Sequence, residues 1–343
     1  MPFKGLDGKT FLTVVVKGTF AIPDRGVAVL AQEQLPVEYG DIPHNGQDGG
    51  STRLEADVAP FKPRADIVLV GHAYAPPGKR VSAIDVSLRV GRLQKVLRVF
   101  GNRTWKSASL SGDHVTDPEP FDKMPIIYER AFGGIDLNGG GYLPSNLAGC
   151  GYFAKISKKS VHNAPLPNIE DPTDLIRSPK DRPRPMGYGF WGRAWEPRLG
   201  YLGTYDEEYR KRYYPNLPPD FKYEYYNGAH PDLQVKGYLR GDEPVELINL
   251  SAHGTLNFQL PAQQLACRVD KTYETLEAYI RTLDDRQISR DRLDNTDPVS
   301  EQIAMNLDTL CLLPDEKRFF LVWRGRTPVY DHTTLEVETL TVG

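Results

Sequence analysis

The chain has little of what usually announces a function. Among its 343 residues are three cysteines, Cys150, Cys267 and Cys311. They are far apart and odd in number, which argues against a disulfide framework and fits reduced thiols. Long apolar runs are missing as well. Nothing approaches the roughly 20 residues that carry a helix across a bilayer. The first apolar stretch, Phe11 to Val16, has neither a basic head nor a small-residue cleavage site around it. These absences lead us to expect a soluble, cytoplasmic protein with no membrane partner. An excess of charge of one sign is also missing: 42 Lys and Arg against 45 Asp and Glu leave a net −3, so no nucleic-acid partner is expected.

Motifs for chemistry are equally scarce. No two of the seven histidines lie within five residues of each other, so H-x-x-x-H and H-E-x-x-H are absent, and no cysteine pair is spaced for a zinc ribbon. No G-x-S-x-G elbow marks a serine nucleophile. "GLDGKT" ends like a phosphate loop, but Phe3 stands where the first glycine belongs. "FGGIDLNGGGY" is glycine-rich without G-x-G-x-x-G spacing. No catalytic, metal-binding or cofactor-binding residue is assigned, and no cofactor is expected.

What is present is turn chemistry and β-formers. With 31 Gly and 28 Pro, turns are too frequent for a helical bundle. "FLTVVVKGTFAI" and "ADIVLVGHAYA" are rich in β-branched residues, and "VSAIDVSLRVG" alternates with Ile84, Val86, Leu88 and Val90 on one face. The expectation is a mainly β fold, with packed antiparallel sheets or a β-sandwich, long Pro/Gly-rich loops and a few helices. Residues 1–343 read as one large domain: a β region to 111, a loop-rich region over 112–230, and a second β region from 231 with a helix and loop inserted near 271–299. Hairpins are expected over 81–105, around Ser251 to Gly254 and at Pro314 to Lys317. A helix is expected over 204–214, opened by a Thr204–Glu207 capping box, with Tyr205, Tyr209 and Tyr213 on one face.

Three groups could carry function. His72, at a strand end, could act as a base, with acids such as Asp66 or Glu129, or could simply fix the turn through a carbonyl or carboxylate. Glu129 and Arg130 could hold a ligand, or form an ion-paired corner beneath Phe132. The stretch 201–226 is dense in tyrosine, which combines contact area with a small entropy loss. Tyr205, Tyr209, Tyr213, Tyr214, Tyr223, Tyr225 and Tyr226 are the candidate partner-binding residues; covering the β core is their alternative role.

The order of segments is itself informative: "VVVKGTFAI", "EADVAPFKPRADIVLVGHAYAP", "LRVFGNRTW", "DPEPFDKMPIIYERAFGG", "PLPNIEDP", "GTYDEEY", "GYLRGDEPVELINLS" and "LVWRG". This series, spanning Phe11 to Gly325, resembles the domain of unknown function 2169 family, associated with bacterial type VI secretion. The resemblance implies a non-enzymatic effector adaptor or chaperone, with a cognate effector toxin, the VgrG spike protein and a PAAR-type tip protein as partners. "SNLAGCGYF" departs from the proline-containing segment expected there, and 271–299 is longer than the family's usual connection. The rival readings are a hydrolase or carbohydrate-active enzyme with a loop-borne site, and a structural component that travels with the spike.

Overall fold

The computed structural model describes residues 2–44, 50–108, 112–273, 299–329 and 333–342. Within them the chain is β-rich, and its strands pair mostly antiparallel in several packed sheets. The principal strands in chain order are β1 (Pro2–Lys4), β2 (Thr10–Ala21), β3 (Val29–Leu30), β4 (Arg64–Leu69), β5 (His72–Tyr74), β6 (Ala83–Val90), β7 (Leu93–Phe100), β8 (Lys123–Pro125) and β9 (Ile169–Glu170). They continue with β10 (Gln234–Lys236), β11 (Pro244–Ile248), β12 (Leu256–Gln259), β13 (Gln264–Tyr273), β14 (Val299–Ala304), β15 (Asn306–Leu313), β16 (Arg318–Pro328) and β17 (Thr333–Val342).

The largest sheet runs β1-β2-β16-β15-β4-β10, with β3 added at the far end of β2. Its centre joins distant parts of the chain: β2 and β16 pair antiparallel from Phe11 opposite Pro328 to Ala21 opposite Arg318. β4 and β15 lie parallel, Asp66 opposite Thr309 and Leu69 opposite Leu312. Both of these strands are buried almost throughout. That explains why their sequences are continuous apolar runs instead of alternating ones. A second sheet runs β9-β7-β6-β11-β12, and a third β14-β13-β17.

The hairpins fall where the turn residues place them. β6 and β7 pair from Ala83 opposite Phe100 to Val90 opposite Leu93. β11 and β12 flank the 251–254 turn, and β15 and β16 flank Pro314–Glu316, closed by Lys317 in the left-handed region. The insertion expected at 271–299 is corrected at its ends, since residues 271–273 finish β13 and Val299 begins β14. The helical spacing of Leu276, Ile280 and Leu283 lies outside the described residues.

The two large sheets share one apolar core. Phe20, Phe258 and Phe319 meet there, with ring centroids 5.4 Å apart for Phe20 and Phe319 and 5.6 Å for Phe258 and Phe319. Tyr188 pins the sheets together. Its carbonyl accepts from the Leu69 N–H at 2.9 Å, and its fully buried hydroxyl lies 3.0 Å from the carbonyls of both Val86 and Lys95.

Against the opposite face of the largest sheet runs a chain of buried charges. Lys17 of β2 binds Asp57 at 2.8 Å. Arg324 of β16 donates to the Asp57 carbonyl at 2.6 Å and pairs with Asp308. Asp308 sits where the register between β15 and β16 shifts, and such a bulge re-aims a side chain. The Thr309 hydroxyl donates to Asp308 and accepts from Lys62, which binds Asp66 at 2.8 Å. Asp66 in turn accepts from Asn227 Nδ2 and the Gly228 N–H. The chain fastens the segments around 57–62 and 227–228 to the sheet.

A buried ion pair is weak evidence for stability, but removing one partner strands the other. Arg324→Met should therefore cost about 3–5 kcal/mol in urea unfolding, because Asp308 is 1% exposed. Adding Asp308→Leu should restore much of it. A loss below about 1 kcal/mol for Arg324→Met alone would count against the chain as a stability element.

Candidate binding surface

The tyrosine-dense stretch is built differently from its sequence reading. The helix is shorter: α1 (Lys158–Val161) precedes it, and the tyrosine-bearing α2 spans Glu207–Arg212, capped by Asp206, whose carboxylate accepts from the Tyr209 N–H at 2.8 Å. The expected Thr204 capping box is absent because Thr204 is engaged elsewhere. The Thr204 N–H and hydroxyl both donate to Asp220, at 3.0 and 2.8 Å. Along the helix Glu207 pairs with Lys211 and Glu208 with Arg212.

The expected common face of Tyr205, Tyr209 and Tyr213 is corrected too. Tyr205 lies before the helix and is exposed, Tyr209 is buried with its hydroxyl donating to the Asn216 carbonyl, and Tyr213 is the C-cap. Tyr205 and Tyr209 do touch, edge to face, at 4.7 Å. Tyr214 is 72% exposed.

Tyr223, Tyr225 and Tyr226 occupy one 3-10 turn and pack around buried Phe221, with centroids 5.6, 5.9 and 5.7 Å away. All three keep part of their rings in solvent. Burial pushes the Tyr226 phenol up to about 12, and the neighbouring Tyr225 adds to the shift. Tyr205 is close enough to Tyr225 and Tyr226 to perturb and be perturbed.

Residues outside the tyrosine stretch extend this surface. Phe61, on the segment held by the buried charges, meets Tyr223 edge to face at 5.4 Å. Arg326 lies 4.4 Å from the Phe61 ring centre and 5.2 Å from that of Phe11, and Phe11 stacks on Phe3. Arg198 and Arg193 approach the Tyr225 ring at 5.6 and 6.0 Å. Both are held by Glu55, and Arg193 also by Asp41. The result is a half-exposed run of aromatic rings with the Arg326 and Arg193 guanidinium groups among them and that of Arg198 buried beneath, a composition enriched at protein interfaces. Phe11, Phe61 and Arg326 carry no local sign of this arrangement, because three distant segments bring them together.

The other candidates are tied into the fold. His72 Nδ1 lies 2.5 Å from Asp315, whose other oxygen accepts from the Tyr74 hydroxyl at 2.7 Å. Burial raises the Asp315 carboxyl, but these bonds and nearby Lys123 outweigh it and leave the pKa lowered. The turn at 314–316 is thereby fastened to β5, which pairs with β8. Glu129 accepts from the Ser51 N–H and hydroxyl, while Arg130 donates to Asn168. The ion-paired corner expected of these two is corrected: each is bound elsewhere. Asp66 is fully buried among Lys62, Asn227 and Gly228, sharing no partner with His72 or Glu129. Among the described residues no group of three or more His, Cys, Asp or Glu is arranged to hold a metal, and no helix is long and apolar enough to cross a membrane.

One titratable cluster passed unnoticed in the sequence. His230, 1% exposed, donates from Nε2 to the Pro185 carbonyl and accepts at Nδ1 from the Asp232 N–H. Both bonds suit a neutral ring. Burial, with Lys95 adding to it, pushes its pKa down to about 3. Lys95 binds Asp232 at 2.8 Å, and its own pKa is lowered by burial.

A family model described as an uncharacterized protein conserved in bacteria, DUF2169, matches residues 7–324; the chain belongs to that family. No curated protein and no solved structure matches it. The matched span includes Phe11, Phe61 and all seven candidate tyrosines and stops short of Arg326 and β17.

Two outcomes follow from the geometry. The unfolded chain takes up a proton on His230 below about pH 6.5, whereas the folded chain resists until about 3. The stability this group contributes is thus present above pH 6.5 and lost as pH falls toward 3. His230→Gln should flatten the decline in urea midpoint between those values; an unchanged slope would assign it to other groups. His72→Ala should lower stability by about 1–2 kcal/mol through loss of the Asp315 bond, read from the thermal midpoint.

Proposed function

We propose that the protein is a non-enzymatic adaptor, or chaperone, that binds a cognate type VI secretion effector in the cytoplasm. It promotes the effector's loading onto the VgrG spike and PAAR-type tip. Membership of the family supports this reading through the resemblance set out above. The observation that carries it is the aromatic and arginine run from Phe3 and Phe11 through Arg326, Phe61, Tyr223, Tyr226 and Tyr225 to Tyr205.

Such a surface suits capture of a protein. Its rings are fixed by one another and by the sheet beneath, so little side-chain entropy remains to be lost on binding. Its guanidinium groups already lie against ring faces. A few such anchors carry most of the energy in protein interfaces. Adaptor action requires that the surface bind the loading-competent form of the effector better than other forms, since equal binding would shift nothing.

The test is co-expression with candidate effector toxin, VgrG and PAAR-type proteins from the same genome. Tyr205→Ala combined with Arg326→Ala, both at exposed positions, should weaken effector capture about thirtyfold while leaving the thermal midpoint within about 2 °C. His72→Ala should reduce loading only as far as it reduces folded protein. If neither toxin nor spike protein co-purifies, and deleting the adaptor leaves toxin abundance and secretion unchanged, the reading fails.

A further inference from the structure

β10 ends the largest sheet, with β4 as its one strand neighbour among the described residues. Beside it opens a cleft of about 650 Å³, walled on its other side by the β6–β7 turn at Gly91 and Arg92. Val90, Leu93, Val235 and Leu239 supply its apolar lining. A depression of about 370 Å³ continues it past Tyr238 and Leu239 toward Met305 and Trp323. Tyr238 also lines a small hollow containing Phe61 and Arg326.

The charges around the cleft do not balance. Arg240 pairs with Asp242 at 3.0 Å. The Glu243 carboxylate accepts from the Arg240 and Gly241 N–H groups at 2.7 and 2.9 Å. Arg92 and Lys236, exposed on opposite walls, have no carboxylate partner among the described residues. Two cations thus flank an apolar cleft beside an open strand edge.

We propose that this cleft receives an extended acidic segment of a partner protein, laid along β10 as an added strand. An edge strand presents unpaired backbone N–H and C=O groups to such a segment. Alternate side chains of an extended chain point to opposite sides. One set would enter the apolar lining while carboxylates on the other meet Arg92 and Lys236. Only two cations are available and the chain is net −3, which fits a short acidic peptide better than a polyphosphate backbone. The inference rests on the cleft itself and stands whether or not the partner is a secreted toxin.

The experiment is selection of phage-displayed random decapeptides on the full chain, followed by affinity measurement with the selected peptides in synthetic form. Selected sequences should be enriched in Asp, Glu and β-branched residues. Arg92→Glu combined with Lys236→Glu should weaken them about tenfold or more without shifting the thermal midpoint. Methylating alternate backbone nitrogens of the peptide should abolish binding in one of the two registers. The proposal is overturned if no peptide is enriched over bare support, if selected peptides bind the double variant unchanged, or if methylation is without effect in both registers. Peptides that lose affinity for Tyr205→Ala with Arg326→Ala, but not for the cleft variant, would also overturn it and leave the aromatic surface as the peptide site.

Discussion

The buried charges from Lys17 through Asp57, Arg324, Asp308, Thr309 and Lys62 to Asp66 tie four strands of the largest sheet to the loops that cover it. Each member has a partner within reach, which offsets much of the cost of taking ions out of water, with Arg324 Nε left buried and unpaired. Four strands contribute, so the chain also reports whether β2, β16, β15 and β4 are in register. A slip of one residue would turn the charged side chains to the other face, into the apolar core shared with the second sheet. The alternation that places Phe20 and Phe319 inward is thus enforced from both sides.

The same constraint reaches the candidate surface of aromatic rings. Asp57 and Lys62 bracket the segment bearing Phe61, and Asn227 follows Tyr226 directly. Because both segments are tied to the sheet, the rings they carry are held in place from below. Glu55 extends the arrangement by gripping Arg193 and Arg198, which lie against Tyr225. A surface made from loops is thereby given the rigidity of a strand face, and proline-rich connections that could not enter a sheet still present a defined shape.

Much of the scaffold was legible in the sequence. β-branched runs marked β2 and β4, alternation marked β6, and turn residues marked the hairpins at 91, 251–254 and 314–317. The parallel pairing of β4 with β15 was not legible, since a short apolar run says only that both faces are buried. The α2 start was misplaced because Thr204 and Glu207 satisfy the spacing of a capping box, while Asp220, sixteen residues on, takes the threonine hydroxyl. A long-range bond overruled a local pattern. For the candidate site, the tyrosine density does not say which rings face outward. Tyr209 anchors the helix and Tyr205 is presented. The partners from β2, the 57–62 segment and β16 give no signal before folding, because nothing local distinguishes Phe11 or Arg326 from other strand residues.

The pairing of β2 with β16 also bears on biosynthesis. The eleven opposed residue pairs join segments roughly three hundred residues apart. At about 5–20 residues per second on the ribosome, β2 waits roughly 15–60 s for its principal neighbour to be made. During that interval "FLTVVVKG" is an unpaired β-forming stretch emerging among other nascent chains. Only β1, β3 and the segments behind them are available to shelter it. The sheet order thus leaves β2 without its principal neighbour until the chain is nearly complete.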